Sequence, residues 1–406
     1  MATFLDGMQT SWRERKRAQQ MEQWLFHIIR NTLEFLFDVI LFPILKKLHW
    51  IPTSNQQLAL AEKRLLSYMK KPYDSWFVDV GRIGESAETC RIYTMKVASD
   101  NPQSRTLPLV LIHGLGCGGP MWILNFEELS CHRDVYAIDL LGFGRSSRPD
   151  LSGDAWIAEM QMVYAIEEWR RRVGLERFVL VGHSLGGFLS SSYAIRHPSR
   201  VAHLVLEDPW GFPEFRPDRP LGKRMPTWTK LVQSTLNHMN ALASIRVLGP
   251  LGPKIMQLSL AAAAEQYFGG FVTDRTVVPS YIYHCNVRKP SGEALFKNLS
   301  VHFGWTKYPM VYRLSHLDPQ ASAVPITFIY GSLTFITKKP AFRIREERKC
   351  CYVDIQVVKE SGHNIHMEKA NEFNRKVIAV CEMADQEEQI FAGERNHSEV
   401  EVDYRL

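Results

Sequence analysis

From residue 76 onward, short apolar runs alternate with longer segments of helical periodicity. Phe77-Val78-Asp79-Val80 and Arg91-Ile92-Tyr93-Thr94-Met95 read as an early strand pair. Residues 107–113 form a continuous apolar run closed by glycines, the pattern of a strand buried on both faces. A strand at 135–139, a helix over 155–173, a second buried run at 178–182 and a helix over 186–197 follow. Further strands are expected at 203–208, 326–330 and 352–358. Strand alternating with helix predicts an α/β fold, a mostly parallel sheet with helices on both faces.

The rhythm stops between Pro209 and about residue 320, a stretch rich in Pro, Gly, Trp and Tyr with a helical piece at 228–246. That is too long for a loop inside a compact domain. It reads as an inserted helical cap over the C-terminal edge of the sheet, where such folds place their ligands. The core is then expected at 59–208 and 321–383, with the cap at 209–320.

The two ends have a different character. Residues 24–45 are largely apolar, but Arg30, Glu34 and Asp38 recur every four residues and form one polar stripe on a helix. A spanning helix needs about 20 predominantly apolar residues, which the stripe interrupts. Phe26, Ile29, Leu33, Leu36, Phe37 and Ile40 cover the remaining surface, flanked by Trp24, Lys46, Lys47 and Trp50. Residues 1–58 are therefore expected to lie in a membrane or lipid-droplet surface, with packing on the protein's own core as the plain alternative. Residues 384–406, with seven acidic and two basic positions, read as a flexible acidic tail.

Composition narrows the class. Of 406 residues, 45% are hydrophobic and 23% charged, which excludes a disordered or fibrous chain. A formal net charge of +6 without a concentrated basic face argues against a nucleic-acid partner. Seven cysteines without a C-x-x-C pair support neither a zinc ribbon nor a redox motif, and free thiols in a reducing, intracellular compartment are expected. No secretory leader pattern is present, and a basic start with Trp12 leaves a mitochondrial presequence as an alternative that Asp6, Glu14 and Glu22 weaken.

The sharpest chemical signal is Gly182-His183-Ser184-Leu185-Gly186, between an apolar strand and a helix. G-x-S-x-G in that context marks a nucleophile elbow, with the serine hydroxyl presented on a tight turn and glycines permitting close backbone approach. Ser184 is the candidate nucleophile. The backbone N–H of Leu185, with that of Leu115 in His113-Gly114-Leu115-Gly116, is expected to form the oxyanion hole. No G-x-x-x-x-G-K-[ST] pattern makes that glycine loop a phosphate cradle. The base should follow the last strand, where His363 stands first and His366 is its rival. A catalytic acid commonly lies past the strand ending at Tyr330, yet residues 331–337 contain no carboxylate. Asp208 is the alternative acid, and a structural role in the following turn is equally compatible with its position.

Three segments resemble a subgroup of the α/β-hydrolase fold. They are Leu140-Leu141-Gly142-Phe143-Gly144-Arg145-Ser146-Ser147-Arg148-Pro149, Gly182 to Phe188, and Asp208-Pro209-Trp210-Gly211-Phe212-Pro213. The stretches Tyr281-Ile282-Tyr283-His284-Cys285-Asn286 and Pro290-Ser291-Gly292-Glu293 extend the likeness into the cap. The subgroup holds abhydrolase-domain lipid proteins, among them N-acyl-phospholipid lipases and a lipid-droplet lipolysis co-activator. The co-activator branch typically carries Asn at the nucleophile, whereas this chain keeps Ser184, as in the hydrolytic branch. The family's H-x-x-x-x-D motif, linked to lysophosphatidate acyl transfer, is here His363 to Glu368. The family's acidic residues after Tyr330 are replaced, notably by Leu333 and Thr337.

The resemblance implies an acyl-ester hydrolase of glycerophospholipids or lysophospholipids, N-acylated or not, that needs no cofactor. Lysophosphatidate acyl transfer with acyl-CoA as co-substrate is a second reading. A non-enzymatic regulator, bound to a partner lipase or droplet coat protein, is a third. All three place the chain peripherally on lipid droplets or cytosolic membrane faces.

Overall fold

The computed structural model describes residues 53–101, 103, 106–215, 245–246, 251–302, 305–315, 324–349 and 351–403. The expected amphipathic segment lies outside them up to residue 52, and the helix expected at 228–246 does so except at 245–246.

The strands, in chain order, are β1 (Asp74–Asp79), β2 (Arg91–Val97), β3 (Leu109–Ile112), β4 (Val135–Ile138), β5 (Phe178–His183), β6 (Val201–Glu207), β7 (Ser300–His302), β8 (Trp305–Thr306), β9 (Ile326–Gly331) and β10 (Val353–Val358). Eight of them form one sheet in the order β1-β2-β4-β3-β5-β6-β9-β10. The pairings from β4 through β10 are parallel, and β1 and β2 join as an antiparallel edge. β7 and β8 make a separate antiparallel pair.

The helices are α1 (Asn55–Leu66), α2 (Phe126–Leu129), α3 (Ala155–Val173), α4 (Leu185–Arg196), α5 (Gly252–Phe268), α6 (Val277–Asn286), α7 (Ser291–Leu299), α8 (Met310–Ser315), α9 (Lys339–Glu347), α10 (Ile365–Glu368) and α11 (Ala370–Asp403). The ends of α3 have local causes. The Asp154 side chain accepts from the Ile157 N–H at the start, and Gly174 closes the end with φ of 82°.

The unbroken apolar runs occupy the sheet centre because their side chains enter a core on each face in turn. Val110, Ile112, Phe178 and Leu180 pack with Trp169 of α3 and Phe188 and Tyr193 of α4. Leu109, Leu111, Val179 and Val181 pack on the opposite face with Leu58 and Leu65 of α1, Trp122, and Phe373 and Val377 of α11. Fully burying each large apolar side chain contributes about 1.5–3 kcal/mol, so both layers are needed to hold the sheet.

The stretch between β6 and β9 carries inserted helices, α5 to α8, with the β7–β8 pair. It is tied to the loop after β4 by Arg148, whose guanidinium donates to the carbonyls of Gly142, Gly144, Cys285 and Lys289. Asn286 Nδ2 donates to the Gly116 carbonyl at 2.8 Å, joining α6 to the glycine loop after β3. At the other end, the backbone is helical to Asp403 within the stretch expected as a tail. Asp385 there accepts from Arg133 at 2.9 Å and from the Leu107 N–H at 2.8 Å, anchoring α11 beside the start of β3. Among the described residues, no helix is long and apolar enough to cross a membrane.

Candidate active site

Ser184 occupies the single position between β5 and α4, at φ 52° and ψ −115°. This left-handed backbone is costly for a side chain bearing a Cβ, of order 1–3 kcal/mol, and persists only where the surroundings impose it. Those surroundings are identifiable. The Ser184 N–H donates to the Glu207 carbonyl at 3.0 Å, and its carbonyl accepts from the N–H groups of Phe188 and Trp210. Close approach explains the motif glycines. A Cβ on Gly186 would stand 2.5 Å from the carbonyl oxygens of both Ile112 and His113. The strand carrying the glycine loop thus presses directly on the elbow.

That loop lies over the nucleophile. A Cβ on Gly114 would stand 2.8 Å from His183 Nδ1 and 3.1 Å from Ser184 Cβ. Its shape is set by His113, whose Nδ1 donates to the Gly114 carbonyl at 2.7 Å while Nε2 accepts from the Leu140 N–H at 3.0 Å. These partners define one neutral tautomer, and burial lowers the pKa of this imidazole to about 4. Asp139 accepts from the N–H groups of Gly119 and Arg145, both at 2.7 Å, joining the other end of the loop to the turn after β4. Leu185 begins α4, so its N–H has no partner within the helix. Leu115 follows Gly114 and packs against the core.

The candidate base and the candidate acid meet from two strand ends. His363 Nδ1 and Asp208 Oδ2 are 2.8 Å apart, with the His363 side chain 20% exposed and Asp208 fully buried. With the Nδ1–H donated to the carboxylate, Nε2 is left with its lone pair, the form a general base requires. Asp208 follows β6 at φ 42°. Its N–H donates to the Ile329 carbonyl at 2.9 Å, fixing the side chain beside the end of β9. The Thr334 hydroxyl also donates to Asp208 Oδ2, and the Gly331 N–H approaches Oδ1 at 3.4 Å. Burial raises the Asp208 pKa, and the His363 and Thr334 bonds oppose that rise. Thr334 was missed in the sequence. It lies in the 331–337 stretch, and a hydroxyl there has a role only once a carboxylate arrives from β6.

His366 takes a different place. It is buried, and both its N–H and its Nδ1 lie 2.8 Å from Glu207 Oε1. Glu207 ends β6 and Asp208 follows it directly, and His363 and His366 lie three residues apart after β10. The two strand ends are therefore joined by two carboxylate–imidazole contacts side by side. Burial raises Glu207 to about 7 and lowers His366 to about 3. His183 completes this buried group, donating from Nε2 to the His363 carbonyl at 3.0 Å, and burial lowers it to about 3. Among the described residues, His183, Glu207 and His366 form the set whose ligand atoms lie within 4.8 Å of one another, as a metal ion would require. Here His366 Nδ1 and Glu207 Oε1 are already bonded to each other.

Glu368 turns its carboxylate onto the loop carrying His363. It accepts from the Gly362 N–H at 2.5 Å and the Asn364 N–H at 3.1 Å, on either side of His363. With the Ser361 hydroxyl at 3.4 Å from Oε2, its contacts are thus with the loop around His363.

Doubly covered parallel strands, a serine on a strained strand-to-helix elbow and a carboxylate-oriented histidine after the last strand define the α/β-hydrolase class. The family model for the α/β-hydrolase fold matches residues 108–370, and the chain belongs to that family. Over 339 residues it is 41% identical to the Mus musculus 1-acylglycerol-3-phosphate O-acyltransferase ABHD5, covering 82% of this chain and 91% of the relative. Over 334 residues it is 40% identical to the Homo sapiens (lyso)-N-acylphosphatidylethanolamine lipase, covering 82% and 94%. The chain is thus a lipid-metabolism relative of that subgroup. Among solved structures, the naproxen esterase of Bacillus subtilis superposes with a TM-score of 0.55 at 20% identity, covering 81% of this chain and 98% of that one. A bacterial membrane phospholipase A superposes with a TM-score of 0.54 at 19% identity, covering 91% and 99%. These two likenesses concern the fold.

Proposed function

We propose that the chain is a serine hydrolase of acyl esters in glycerophospholipids or lysophospholipids, N-acylated or not. The observation carrying this reading is the 2.8 Å contact between His363 Nδ1 and buried Asp208, beside an intact Ser184 elbow. In the reaction, Ser184 Oγ attacks the ester carbonyl carbon while its proton passes to His363 Nε2. Asp208 stabilises the imidazolium that results. The N–H groups of Leu115 and Leu185 hold the oxyanion of the tetrahedral intermediate. Its collapse breaks the ester C–O bond, His363 returns the proton to the departing alcohol, and Ser184 is left acylated. Water then attacks the acyl-enzyme with His363 again as base, releasing the fatty acid and restoring the serine.

The test is labelling of purified protein with a fluorophosphonate, followed by hydrolysis of lysophospholipid substrates. Labelling and fatty-acid release are expected in the parent and absent from Ser184→Ala. Equal hydrolysis by both proteins would exclude the mechanism.

One finding favours a second outcome for the same acyl-enzyme. The 41% identical mouse relative is named an acyltransferase for a 1-acylglycerol 3-phosphate. A lysophosphatidate hydroxyl in place of water would yield a diacyl product, and acyl-CoA would supply the acyl group. That reading predicts acyl-CoA-dependent phosphatidate formation by pure protein, lost in His363→Ala.

A further inference from the structure

In this chain the 331–337 stretch, freed of a carboxylate, carries the two most exposed large apolar side chains among the described residues, Leu333 at 74% and Phe335 at 75%. Loose backbone does not explain that exposure. The Ser332 N–H donates to the Val358 carbonyl at 2.9 Å and the Leu333 N–H to the Ser361 carbonyl at 2.8 Å. Thr334 is held by Asp208, and the Ile336 N–H donates to Thr334 Oγ1 at 3.1 Å. A pinned loop that presents two large apolar groups to water keeps a hydration cost that burial against a partner relieves.

The surrounding charge says what the partner is. Residues 331–345 include Lys338, Lys339, Arg343 and Arg345 and no acidic residue. Arg343 is paired with Glu347 at 2.7 Å, whereas neither lysine has a carboxylate partner among the described residues. Arg345 lies over the ring of Phe342, itself 42% exposed on α9, at 5.1 Å. Nearby Glu360 faces Lys369 at 3.4 Å. Apolar tips rimmed by unpaired lysines fit an anionic phospholipid surface, which accepts the first in its acyl region and the second at its head groups. The place is also suited to delivery, since the Phe335 ring centroid is 4.9 Å from that of His363.

We propose that the 331–345 segment is a wedge that inserts Leu333 and Phe335 into an anionic phospholipid surface, placing the mouth beside His363 against the lipid. This deepens the hydrolase reading and rests on it for the purpose of the wedge. The insertion itself has its own readout.

The experiment uses the full chain with an environment-sensitive fluorophore attached through Leu333→Cys, and the identically treated parent as background for native thiols. Vesicles of phosphatidylcholine, with or without phosphatidylserine, carry a doxyl quencher in the acyl region. The expected result is a blue shift and quenching with phosphatidylserine present, reduced at high salt as the lysines are screened. Separately, Leu333→Glu is expected to weaken binding to the anionic vesicles about tenfold or more, with fluorophosphonate labelling of Ser184 at the parental rate. Emission at position 333 that anionic vesicles leave unchanged would overturn the wedge, whatever the rest of the chain does. Loss of labelling in the parent would instead refute the hydrolase reading and leave a measured insertion standing.

Discussion

Asp208 is a buried carboxylate in a left-handed backbone, and three donors converge on it. Burial raises its pKa and so disfavours the carboxylate form, the form that stabilises an imidazolium. The bonds from His363 and Thr334 oppose that tendency. Asp208→Asn keeps the shape and removes the charge, so on the proposed hydrolase mechanism the imidazolium loses its counter-ion. Turnover on a lysophospholipid is expected to fall about 10³–10⁴-fold, with the melting temperature changing far less than the rate. A large loss of stability at parental turnover would instead make Asp208 a purely structural turn residue. His366 shows how little the sequence distinguishes two nearby histidines. Three positions apart in one loop, His363 keeps an edge toward solvent and His366 is enclosed against Trp122, their ring centroids 4.2 Å apart.

Among elements, those whose ends have local causes were legible. The helix expected at 155–173 matches α3, because Asp154 and Gly174 are sequence-local caps. The strand expected at 107–113 pairs only over Leu109–Ile112, since the flanking residues turn away to the Asp385 anchor and the glycine loop. The strand expected at 203–208 ends at Glu207, with Asp208 leaving the ladder in left-handed backbone. The elbow depends on two elements pressing together, and Gly186→Ala tests it. The added methyl would meet two backbone carbonyl oxygens at 2.5 Å, neither of which is a mobile side-chain end. A loss of about 1–3 kcal/mol in denaturant unfolding is expected. Fluorophosphonate labelling should fall further than stability explains, because the displaced strand carries the glycine loop proposed to hold the oxyanion.

At the scale of the whole molecule, buried titratable groups couple the fold to pH. Burial lowers His113 and His203 to about 4 and His183 and His366 to about 3, while it raises Glu62 and Glu207 to about 7 and Asp139 to about 6. The two sets oppose each other. A depressed histidine stays neutral in the folded chain while the unfolded chain takes up a proton, so stability falls as pH drops through that interval. A raised carboxyl keeps its proton when folded and loses it when unfolded, so stability falls as pH rises. His203 isolates one contribution, since it sits away from the elbow with Nε2 2.9 Å from Thr327 Oγ1. Its folded value near 4 lies below the ordinary imidazole value of 6.5. Relative to His203→Gln, the parent should therefore gain stability as pH rises from about 4 to 6.5, by up to about 1.4 kcal/mol per pH unit. A stability difference that does not vary with pH would mean that His203 titrates alike in both states.

The division between sequence and structure follows from the range of the interactions. Binary pattern, local caps and the G-x-S-x-G motif act over a few residues. The alternation of strands and helices and the strand-to-helix turn at Ser184 were therefore readable from order alone. The partner of His363 was readable only as one of two roles open to Asp208, because β6 and β10 are separated in the chain by the whole insertion and meet only through β9 in the sheet. Parallel pairing brings Asp208, Thr334 and His363 to one edge, and Glu207 and His366 beside them. Only that packing decides which of the two histidines keeps an edge toward solvent and which is enclosed, while both carboxylates are buried.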